Sequence, residues 1–467
     1  MILTLYSPCA AYLWPSPNMD DLESARWDAA GYNVRTSITG GLGGPGCSLF
    51  FRGANKGRSN AADWIRTAFH DMATYDPVTG TGGMDASIRF SDELARAENA
   101  GTGFSNTVSF FRGDPGRYLS MADVLALALV YSVENCGGPE VDFRGGRIDA
   151  SGPNLPGVPE PQQDLNSHLT AFERMGFNRE EMIGLVACGH TIGGVQHTAL
   201  PDIVPELNDP NNEDSNALFD STGTAFDNNV ARDYMAGTTS NPLVMNTDDT
   251  FNSDKRIFSS DGNATMAGFA RSAQGFAETC SRLFSRMIDV VPRGVQLTEV
   301  IAPLPVKPQD VELMYSDTGK LTFSGQVRLW NPTENPSRIV NMVWADRNGT
   351  QHTQRLLHTP DMVGSAAGGR YRSEWYTWDV VPSANTSNSV TELFGITGMH
   401  FEIAENSSGT VRVEDQQGHG FPVSDAVMFS TTSCKTSDGW PSLGRYDVAV
   451  RHSQSRVYID SDSLLAR

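Results

Sequence analysis

The sequence predicts a mainly helical domain followed by an all-β, sandwich-like domain. Segments with helix-capping signals lie in the first 300 residues, whereas short alternating apolar segments follow a proline-rich stretch near residue 303. A chain of 467 residues is also longer than one small domain. We therefore expect a helical domain at 1–302, a linker at 303–309 and a β-rich domain at 310–467.

The expected helices carry start signals or amphipathic patterns. In chain order they are 61–76, 120–133, 164–176, 178–190 and 275–291. Ser120 and Asp164 are N-cap residue types, and Asn178 with Glu181 has the spacing of a capping box. The connecting segments are long and rich in Gly, Asp, Asn and Pro. Such loops usually bind something or are tied down by something.

The β-rich domain is expected from apolar residues that alternate with period two. The segment "KLTFSGQVRLW" places Leu321, Phe323, Val327 and Leu329 on one face. Similar short runs are "MHFEIAE", "TVRVED", "DAVMFS", "YDVAV" and "RVYID". Repeated short strands between turn residues are typical of a β-sandwich or barrel.

Charge and hydropathy exclude two classes of partner. The net charge of −20 argues against nucleic acid or an anionic membrane surface as a partner. The longest apolar run, at 121–133, contains Asp123 and is too short to cross a membrane. We therefore expect no nucleic-acid partner and no membrane partner.

Cysteines and glycosylation sequons favour a secreted protein. The six cysteines lie at positions 9, 47, 136, 188, 280 and 434, with no CxxC motif. This wide spacing favours disulfides over a zinc site. Sequons occur at Asn263, Asn348, Asn385 and Asn406. The apolar N-terminal segment at 1–17 is compatible with the remnant of a signal peptide or with a misassigned start.

Two histidines stand out on the expected helices. Arg66 and His70 are four residues apart and therefore share one side of a helix. His190 shares a face with Ile183 and Ala187 and is followed by "TIGG", whose glycines allow close approach of a flat group. Taken alone, each pattern also fits an ordinary helix. Arg66 and His70 could be an exposed arginine beside a half-buried histidine, and His190 could be a core histidine near a helix–helix contact.

The order of several motifs makes a resemblance specific. "RTAFHD", "GTGGMDASI", "ENAGTG", "NCGGP", "GRIDA", "GVPEP", "VACGHTIGG", "FDSTGTAFDN" and "RIFSSD" resemble landmarks of the plant/fungal/bacterial haem peroxidase superfamily over roughly residues 12–300. The pattern is most similar to secreted fungal peroxidases of the ascomycete type with a C-terminal extension. The resemblance implies two helical lobes around haem b, hydrogen peroxide and small phenolic or dye-like aromatic donors as substrates, and an extracellular location.

The resemblance assigns roles around the haem. On the distal side, His70 would take a proton from peroxide and return it to the leaving oxygen. Asn99 would fix the His70 tautomer, Arg66 would stabilise developing charge, and Phe69 matches the neighbouring aromatic residue.

On the proximal side, His190 would ligate the iron. The family acid that accepts its other N–H matches Asp261 in "RIFSSD", although Asp227 is a rival from the residues alone. His197 would contact a haem propionate.

Two calcium sites are also implied by the resemblance, because oxygen-rich segments follow both histidines. The distal set is Asp71, Gly83, Asp85 and Ser87. The proximal set is Thr191, Asp220, Thr222, Ala225 and Asp227. Ordinary Asp- and Ser-rich turns are the alternative.

Departures from the family narrow the expected donors. Manganese-oxidising relatives carry acids where this chain has Arg58, Ala62 and Gln196. Relatives that oxidise lignin models have a Trp where this chain has Leu185, and no Trp lies between 65 and 329. Direct oxidation at the haem edge is expected, with another surface Trp or Tyr left open as a relay.

The remaining expectations concern disulfides and the tail. The family pattern pairs Cys47 with Cys136, Cys188 is a candidate partner of Cys280, and Cys9 and Cys434 remain. A different class of function is the alternative: a protein whose β-rich tail binds cell-wall polysaccharide and whose haem domain is subsidiary.

Overall fold

The computed structural model describes residues 16–38, 47, 56–316, 320–380, 395–406, 409–416, 418–435, 444–445 and 447–450. Cys9, the sequon at Asn385 and the expected strand "RVYID" lie outside the described residues. The chain divides into two compact units. The helical unit contains residues 21–302 and 365–370, and the β-rich unit contains 303–364, the chain from 371 onward and the residues before Asp21.

The helices within the described ranges are, in chain order, α1 (Pro17–Trp27), α2 (Asn60–Met72), α3 (Ser91–Leu94), α4 (Gly103–Phe111), α5 (Met121–Asn135), α6 (Leu165–Arg174), α7 (Arg179–Gly189), α8 (Asn229–Ala236), α9 (Pro242–Met245), α10 (Ser253–Phe258), α11 (Ala264–Arg271) and α12 (Ala273–Ile288). Short 3₁₀ turns occur at Ser87–Arg89, Ala97–Asn99 and Asp249–Phe251. The strands of this unit are β1 (Ala30–Gly31) and the antiparallel pair β2 (Gly194–Gln196) and β3 (Asn216–Leu218).

Capping side chains begin the helices where the sequence predicted. The Ser120 hydroxyl accepts a hydrogen bond from the Asp123 N–H at 3.0 Å, which starts α5. The Asp164 carboxylate starts α6 in the same way. Asn178 and Glu181 form both hydrogen bonds of a capping box, each 3.0 Å long, so the predicted start of α7 is confirmed.

Helix α5 lies in the centre of the helical unit. It is buried along almost its whole length, including Leu125, Leu127 and Leu129. It packs against α2, which carries Arg66 and His70. The disulfides Cys47–Cys136 and Cys188–Cys280 are both present, so these two expected pairings are confirmed.

The β-rich unit consists of two sheets and a short hairpin. Its strands are β4 (Val306–Tyr315), β5 (Leu321–Trp330), β6 (Ile339–Ala345), β7 (Gln351–Arg355), β8 (Leu357–Ala366), β9 (Tyr371–Val380), β10 (Gly398–Ala404), β11 (Val411–Glu414), β12 (Phe421–Pro422), β13 (Val427–Ser430), β14 (Cys434–Lys435), β15 (Gly444–Arg445) and β16 (Val448–Val450). The larger sheet has the order β8-β9-β5-β4-β13-β16, and the smaller one has the order β11-β10-β6-β7, with β12 beside β10. The hairpin pairs β14 with β15. β13 runs parallel to β4, and the other registered pairs are antiparallel.

The two sheets pack face to face around one apolar core. Trp378 of the larger sheet contacts Phe401 of the smaller sheet, with ring centroids 6.1 Å apart. The four apolar residues of β5 that were expected on one face all lie in this core. The predicted succession of a helical region and a β-rich region is therefore confirmed.

The expected linker at 303–309 is not a separate segment. Strand β4 begins at Val306, and Pro308 pairs with Val327 inside the sheet. Lys307 is buried, and its ammonium group lies 3.0 Å from the Asp20 carboxylate. Of the three prolines in this stretch, Pro308 therefore lies inside a strand, and Pro303 and Pro305 directly precede that strand. Within the described residues, no helix combines the length and the apolar character that crossing a membrane requires.

Candidate functional site

A cavity of about 230 Å³ lies in the helical unit. It is lined by residues of α2 and by residues from the end of α7 and the loop that follows. Its walls combine apolar side chains with a few polar ones, among them Arg66, Phe69, His70, His190 and Phe219. Of the residues expected at the haem, Arg66, Phe69, His70 and His190 therefore share one cavity, which has the composition of a cofactor site.

His70 is buried on α2 and is held in one tautomer. Its Nδ1 lies 2.7 Å from the amide oxygen of Asn99. The Asn99 amide nitrogen donates to the Glu93 carbonyl at 2.8 Å, which turns its oxygen toward His70. Because that oxygen can only accept, Nδ1 carries the proton and Nε2 is a proton acceptor. Burial, with a smaller effect of the Arg66 charge, lowers the pKa of His70 well below its usual range.

Arg66 lies one helical turn before His70 and also lines the cavity. Its Nη1 donates to the Ala100 carbonyl at 3.2 Å, and its guanidinium lies 4.5 Å from the Phe104 ring centroid. Burial lowers the pKa of Arg66 to about 10, so the side chain remains charged at neutral pH. The cavity therefore contains one fixed positive charge beside a neutral imidazole.

His190 caps the end of α7. Its Nδ1 lies 2.8 Å from a carboxylate oxygen of Asp254, and its ring stacks on Phe219 at a centroid distance of 4.0 Å. Asp254 is buried and also accepts a hydrogen bond of 2.7 Å from Asn241. Because a carboxylate accepts the Nδ1 proton, Nε2 of His190 is left with a lone pair that can ligate a metal.

Asp261 is not the partner of His190, so this expectation was wrong. The Asp261 carboxylate accepts from the backbone N–H groups of Ala264 and Thr265, at 3.0 and 2.9 Å, and therefore caps α11. It follows the end of α10, where the free N–H groups of the next helix are its closest donors. Asp254, in the first turn of α10, has the position that reaches His190.

His197 is not among the residues that line the cavity. It follows β2, and its Nδ1 lies 2.7 Å from the Val204 carbonyl oxygen, so its ring is bonded to the backbone and does not line the cavity. The preceding residue, Gln196, lines the cavity instead. Sequence reasoning also missed Asn241 and Phe219, for which the sequence carries no local signal.

Arg58 occupies a position where manganese-oxidising relatives would carry an acid. It is buried, with its Nε 2.8 Å from the Asp63 carboxylate and its Nη1 3.3 Å from that of Asp214. A buried guanidinium that holds two carboxylates opposes binding of a divalent cation by the same acids.

The expected distal calcium residues form one buried cluster beside His70. One carboxylate oxygen of Asp71 accepts from the N–H groups of Asp85 and Ala86, at 2.9 and 2.8 Å. Burial and the mutual repulsion of the two carboxylates raise the pKa of Asp71 well above its usual range, and burial raises the pKa of Asp85. The Ser87 hydroxyl is buried and has no hydrogen-bond partner among the described residues.

This distal cluster fits a hard cation. Gly83 has φ +97°, and a Cβ there would lie 2.6 Å from the Val290 carbonyl oxygen, so glycine is required at this turn. Two buried carboxylates and an orphaned hydroxyl are stabilised when a cation joins them. No group of three or more His, Cys, Asp or Glu side chains able to hold a metal occurs in the described part of the chain, so main-chain and hydroxyl oxygens would complete the site.

The expected proximal calcium residues also lie together, beside His190. The Thr191 hydroxyl donates to the Asp227 carbonyl at 2.6 Å, and the Thr222 hydroxyl donates to the Asp227 carboxylate at 2.8 Å. Asp220 accepts from the Thr222 N–H at 2.9 Å, and the Ala225 N–H donates to the Thr222 carbonyl at 2.7 Å. Burial raises the pKa of Asp220 to about 7, and the nearby Asp227 charge adds to this effect.

The class of protein follows from two histidines that line one apolar cavity and have different hydrogen-bond partners. One is a neutral acceptor set by an amide, and the other is a potential metal ligand set by a carboxylate. Large apolar side chains such as Phe69, Phe172 and Leu243 suit a flat macrocycle between them. This donor set fits a haem with one histidine ligand.

The comparison with known proteins agrees with that class. Residues 50–270 match the protein family described as Peroxidase. L-ascorbate peroxidase 5, peroxisomal, of Arabidopsis thaliana is 31% identical over 202 residues, which cover 43% of this chain and 67% of that protein. L-ascorbate peroxidase 2, cytosolic, of the same plant is 34% identical over 148 residues, covering 32% of this chain and 59% of that protein. The chain belongs to the peroxidase family.

A fungal relative is similar over more of the chain. A WSC domain-containing protein of Arthroderma benhamiae is 38% identical over 360 residues, covering 76% of this chain. That share is about 355 residues, more than the 302 that precede Pro303, so the similarity extends into the β-rich unit. The chain spans 48% of the length of this relative.

Proposed function

We propose that this protein reduces hydrogen peroxide with haem b and takes the electrons from small phenolic or dye-like donors at the haem edge. The observation that carries the proposal is the pair of oriented histidines on one cavity, with His70 bonded to Asn99 and His190 bonded to Asp254. Haem, when bound, would supply the iron at which the peroxide O–O bond breaks and would hold the two oxidising equivalents that peroxide provides until donors reduce it.

The distal residues move protons and stabilise charge. Nε2 of His70 accepts a proton from peroxide and returns it to the leaving oxygen, which departs as water. The low pKa of His70 keeps it neutral and ready to accept. The Arg66 guanidinium stabilises negative charge on the leaving oxygen.

The proximal residues hold the cofactor. Nε2 of His190 would ligate the haem iron, and the hydrogen bond from Nδ1 to Asp254 increases the electron density of the imidazole. Gln196 lies on the cavity wall and would be among the residues around the cofactor. Two Ca²⁺ ions, one in the distal cluster and one in the proximal cluster, brace the helices that carry His70 and His190.

We place the protein outside the cell and group it with fungal secreted peroxidases. Two disulfides in the helical unit support an oxidising compartment. The plant relatives are named as peroxisomal and cytosolic proteins, so location differs within the family. Detection of glycan at the sequons Asn263, Asn348 or Asn406 in protein from the native host would test secretion.

An absorption spectrum tests the proposed function directly. The purified full-length protein with haem should show a Soret band that shifts on addition of one equivalent of hydrogen peroxide. A phenol or dye should then restore the original spectrum and be oxidised. Haem uptake without any response to peroxide would overturn the proposal.

One observation favours a second function for the β-rich unit. Trp330 and Tyr371 lie side by side, half-buried, with ring centroids 5.5 Å apart. Partly exposed aromatic pairs stack against sugar rings, which suits binding to cell-wall polysaccharide. Retention of the full chain on insoluble polysaccharide, lost in Trp330→Ala, would support this function, whereas equal retention of both proteins would exclude this pair.

A further inference from the structure

A third histidine lies on the wall of the same cavity. His168 is on α6, is only 2% exposed and lines the cavity together with Phe172 one turn later. Neither the peroxide chemistry nor the ligation of iron described above uses it.

The hydrogen bonds of His168 define which ring nitrogen is available. Its Nε2 lies 3.1 Å from the Glu160 carbonyl oxygen, which can only accept, so Nε2 carries a proton. Its Nδ1 is buried and has no hydrogen-bond partner among the described residues. Burial also lowers the pKa of His168, which favours the neutral ring. Nδ1 is therefore a bare acceptor in a place from which protein donors are excluded.

A group that hydrogen-bonds to Nδ1 of His168 must be a hydrogen-bond donor. The polar groups of haem are carboxylates, which at neutral pH also accept, so the cofactor does not satisfy Nδ1. A buried acceptor without a partner is destabilising, which favours any cavity occupant with an O–H or N–H group.

The wall beside His168 reaches solvent. Pro159, Glu160, Pro161 and Gln162 line the cavity in one loop, and Gln162 is exposed. Arg256 holds this loop in place through the Pro161 carbonyl at 2.6 Å. A small molecule that enters along this loop arrives at the wall that contains His168.

We propose that Nδ1 of His168 accepts a hydrogen bond from the O–H or N–H of the aromatic electron donor and so selects phenols and aromatic amines over donors without such a group. This inference rests on the proposed function, because it concerns the donor of the same reaction. His168 is then a specificity-determining residue that is separate from the peroxide-cleaving pair Arg66 and His70.

The test compares phenol with its methyl ether, anisole, which has nearly the same shape and no O–H. Binding of each to the full-length haem-loaded protein is titrated by its Soret difference spectrum, without peroxide. The unmodified protein should bind phenol about tenfold more tightly than anisole, as expected for one hydrogen bond. An equal affinity for the two would overturn the proposal without any variant.

Two variants test the acceptor on His168. His168→Leu lacks both ring nitrogens, whereas His168→Gln keeps an amide N–H for the Glu160 carbonyl and an amide oxygen that can accept in place of Nδ1. The phenol preference should fall to about onefold in His168→Leu and be retained in part in His168→Gln, while anisole binding stays within about twofold. If His168→Leu keeps the preference, or loses phenol and anisole binding alike, the proposal fails.

A separate measurement tests the proposed peroxidase function. The reaction of each protein with peroxide is followed by the Soret shift, which does not require an aromatic donor. If the unmodified protein does not react with peroxide, the peroxidase proposal is rejected. A normal peroxide reaction with no phenol preference would reject only the role of His168.

Discussion

At the residue scale, the two histidines that face the cavity differ in the partner that orients each one. His70 is paired with the amide of Asn99, which is uncharged and does not strongly favour an imidazolium. His190 is paired with the carboxylate of Asp254, which draws the Nδ1 proton toward itself. One ring therefore stays a neutral base, and the other becomes an electron-rich ligand.

Replacement of His70 tests its role as base and acid. We expect His70→Ala to retain haem but to react with peroxide roughly 10²- to 10⁴-fold more slowly, since both proton transfers lose their carrier. Stopped-flow absorbance at the Soret band measures this rate. His197→Ala, which removes a histidine that does not line the cavity, is the control and should change the rate less than twofold or so. A decrease below about tenfold in His70→Ala would rule out the role.

Replacement of the two acids distinguishes Asp254 from Asp261. Asp254→Asn should raise the reduction potential of the haem iron, because an amide stabilises the oxidised form less than a carboxylate does. A charge-assisted hydrogen bond is worth about 1.5–3 kcal/mol, which corresponds to roughly 60–130 mV for one electron. Asp261→Asn is the matched control and should leave the potential unchanged. Spectroelectrochemical titration would contradict the assignment if the control variant shifted and Asp254→Asn did not.

At the element scale, local signals were readable in the sequence and contacts between distant segments were not. The capping residues of α5, α6 and α7 and the alternating face of β5 depend on neighbours within a few positions. Arg66 and His70 were found for the same reason, since they are one turn apart. The contact between His190 and Asp254 spans 64 residues and depends on how α7 packs against α10, which no spacing in the sequence encodes.

The two expected calcium clusters lie next to the histidines, because Asp71 follows His70 and Thr191 follows His190. Removal of calcium therefore tests whether the ions stabilise these parts of the helical unit. Removal of Ca²⁺ by a chelator should lower the free energy of unfolding by about 3 kcal/mol, as expected for loss of a ligand held at about a hundred times its Kd. Thermal unfolding with metal content measured in parallel tests this, and Ca²⁺ but not Mg²⁺ should restore stability.

Asp85→Asn is the variant that assigns this effect to the distal cluster. It should reduce the stabilisation that added Ca²⁺ gives, while Asp92→Asn, an acid outside both clusters, should not. Metal-free protein with an unchanged melting temperature would show that these clusters are ordinary turns.

At the scale of the whole molecule, the helical unit is not one continuous piece of sequence. Residues 365–370, which are the last two residues of β8 and the turn that leads to β9, belong to it. The Arg370 guanidinium donates to the Gly138 carbonyl at 2.7 Å, just after α5. Gly368 has φ +67°, and a Cβ there would lie 2.3 Å from the Glu134 carbonyl oxygen, so the two backbones are in close approach. The sequence did not predict this, since the segment reads as one more turn between strands.

Truncation after Ala302 measures what this segment contributes. We expect the shortened chain to bind haem and oxidise small donors at a comparable rate, because every residue assigned to the cavity precedes the cut. It should be less stable by about 1.5–3 kcal/mol, the worth of one hydrogen bond from a charged group. Arg370→Ala in the full chain is the matched control and should show a similar loss. Soluble truncated protein that takes up no haem would contradict the prediction.

The position of residues 365–370 also determines when the helical unit can finish folding during synthesis of the chain. A nascent chain that has reached Ala302 still lacks the segment that covers the end of α5, and 68 further residues, from 303 to 370, must be added first. At translation rates of about 5–20 residues per second, this interval lasts roughly 3–14 seconds. During that time the carbonyl groups of Glu134 and Gly138 lack their final contacts. The helical unit therefore completes its structure only while the β-rich unit is being synthesised.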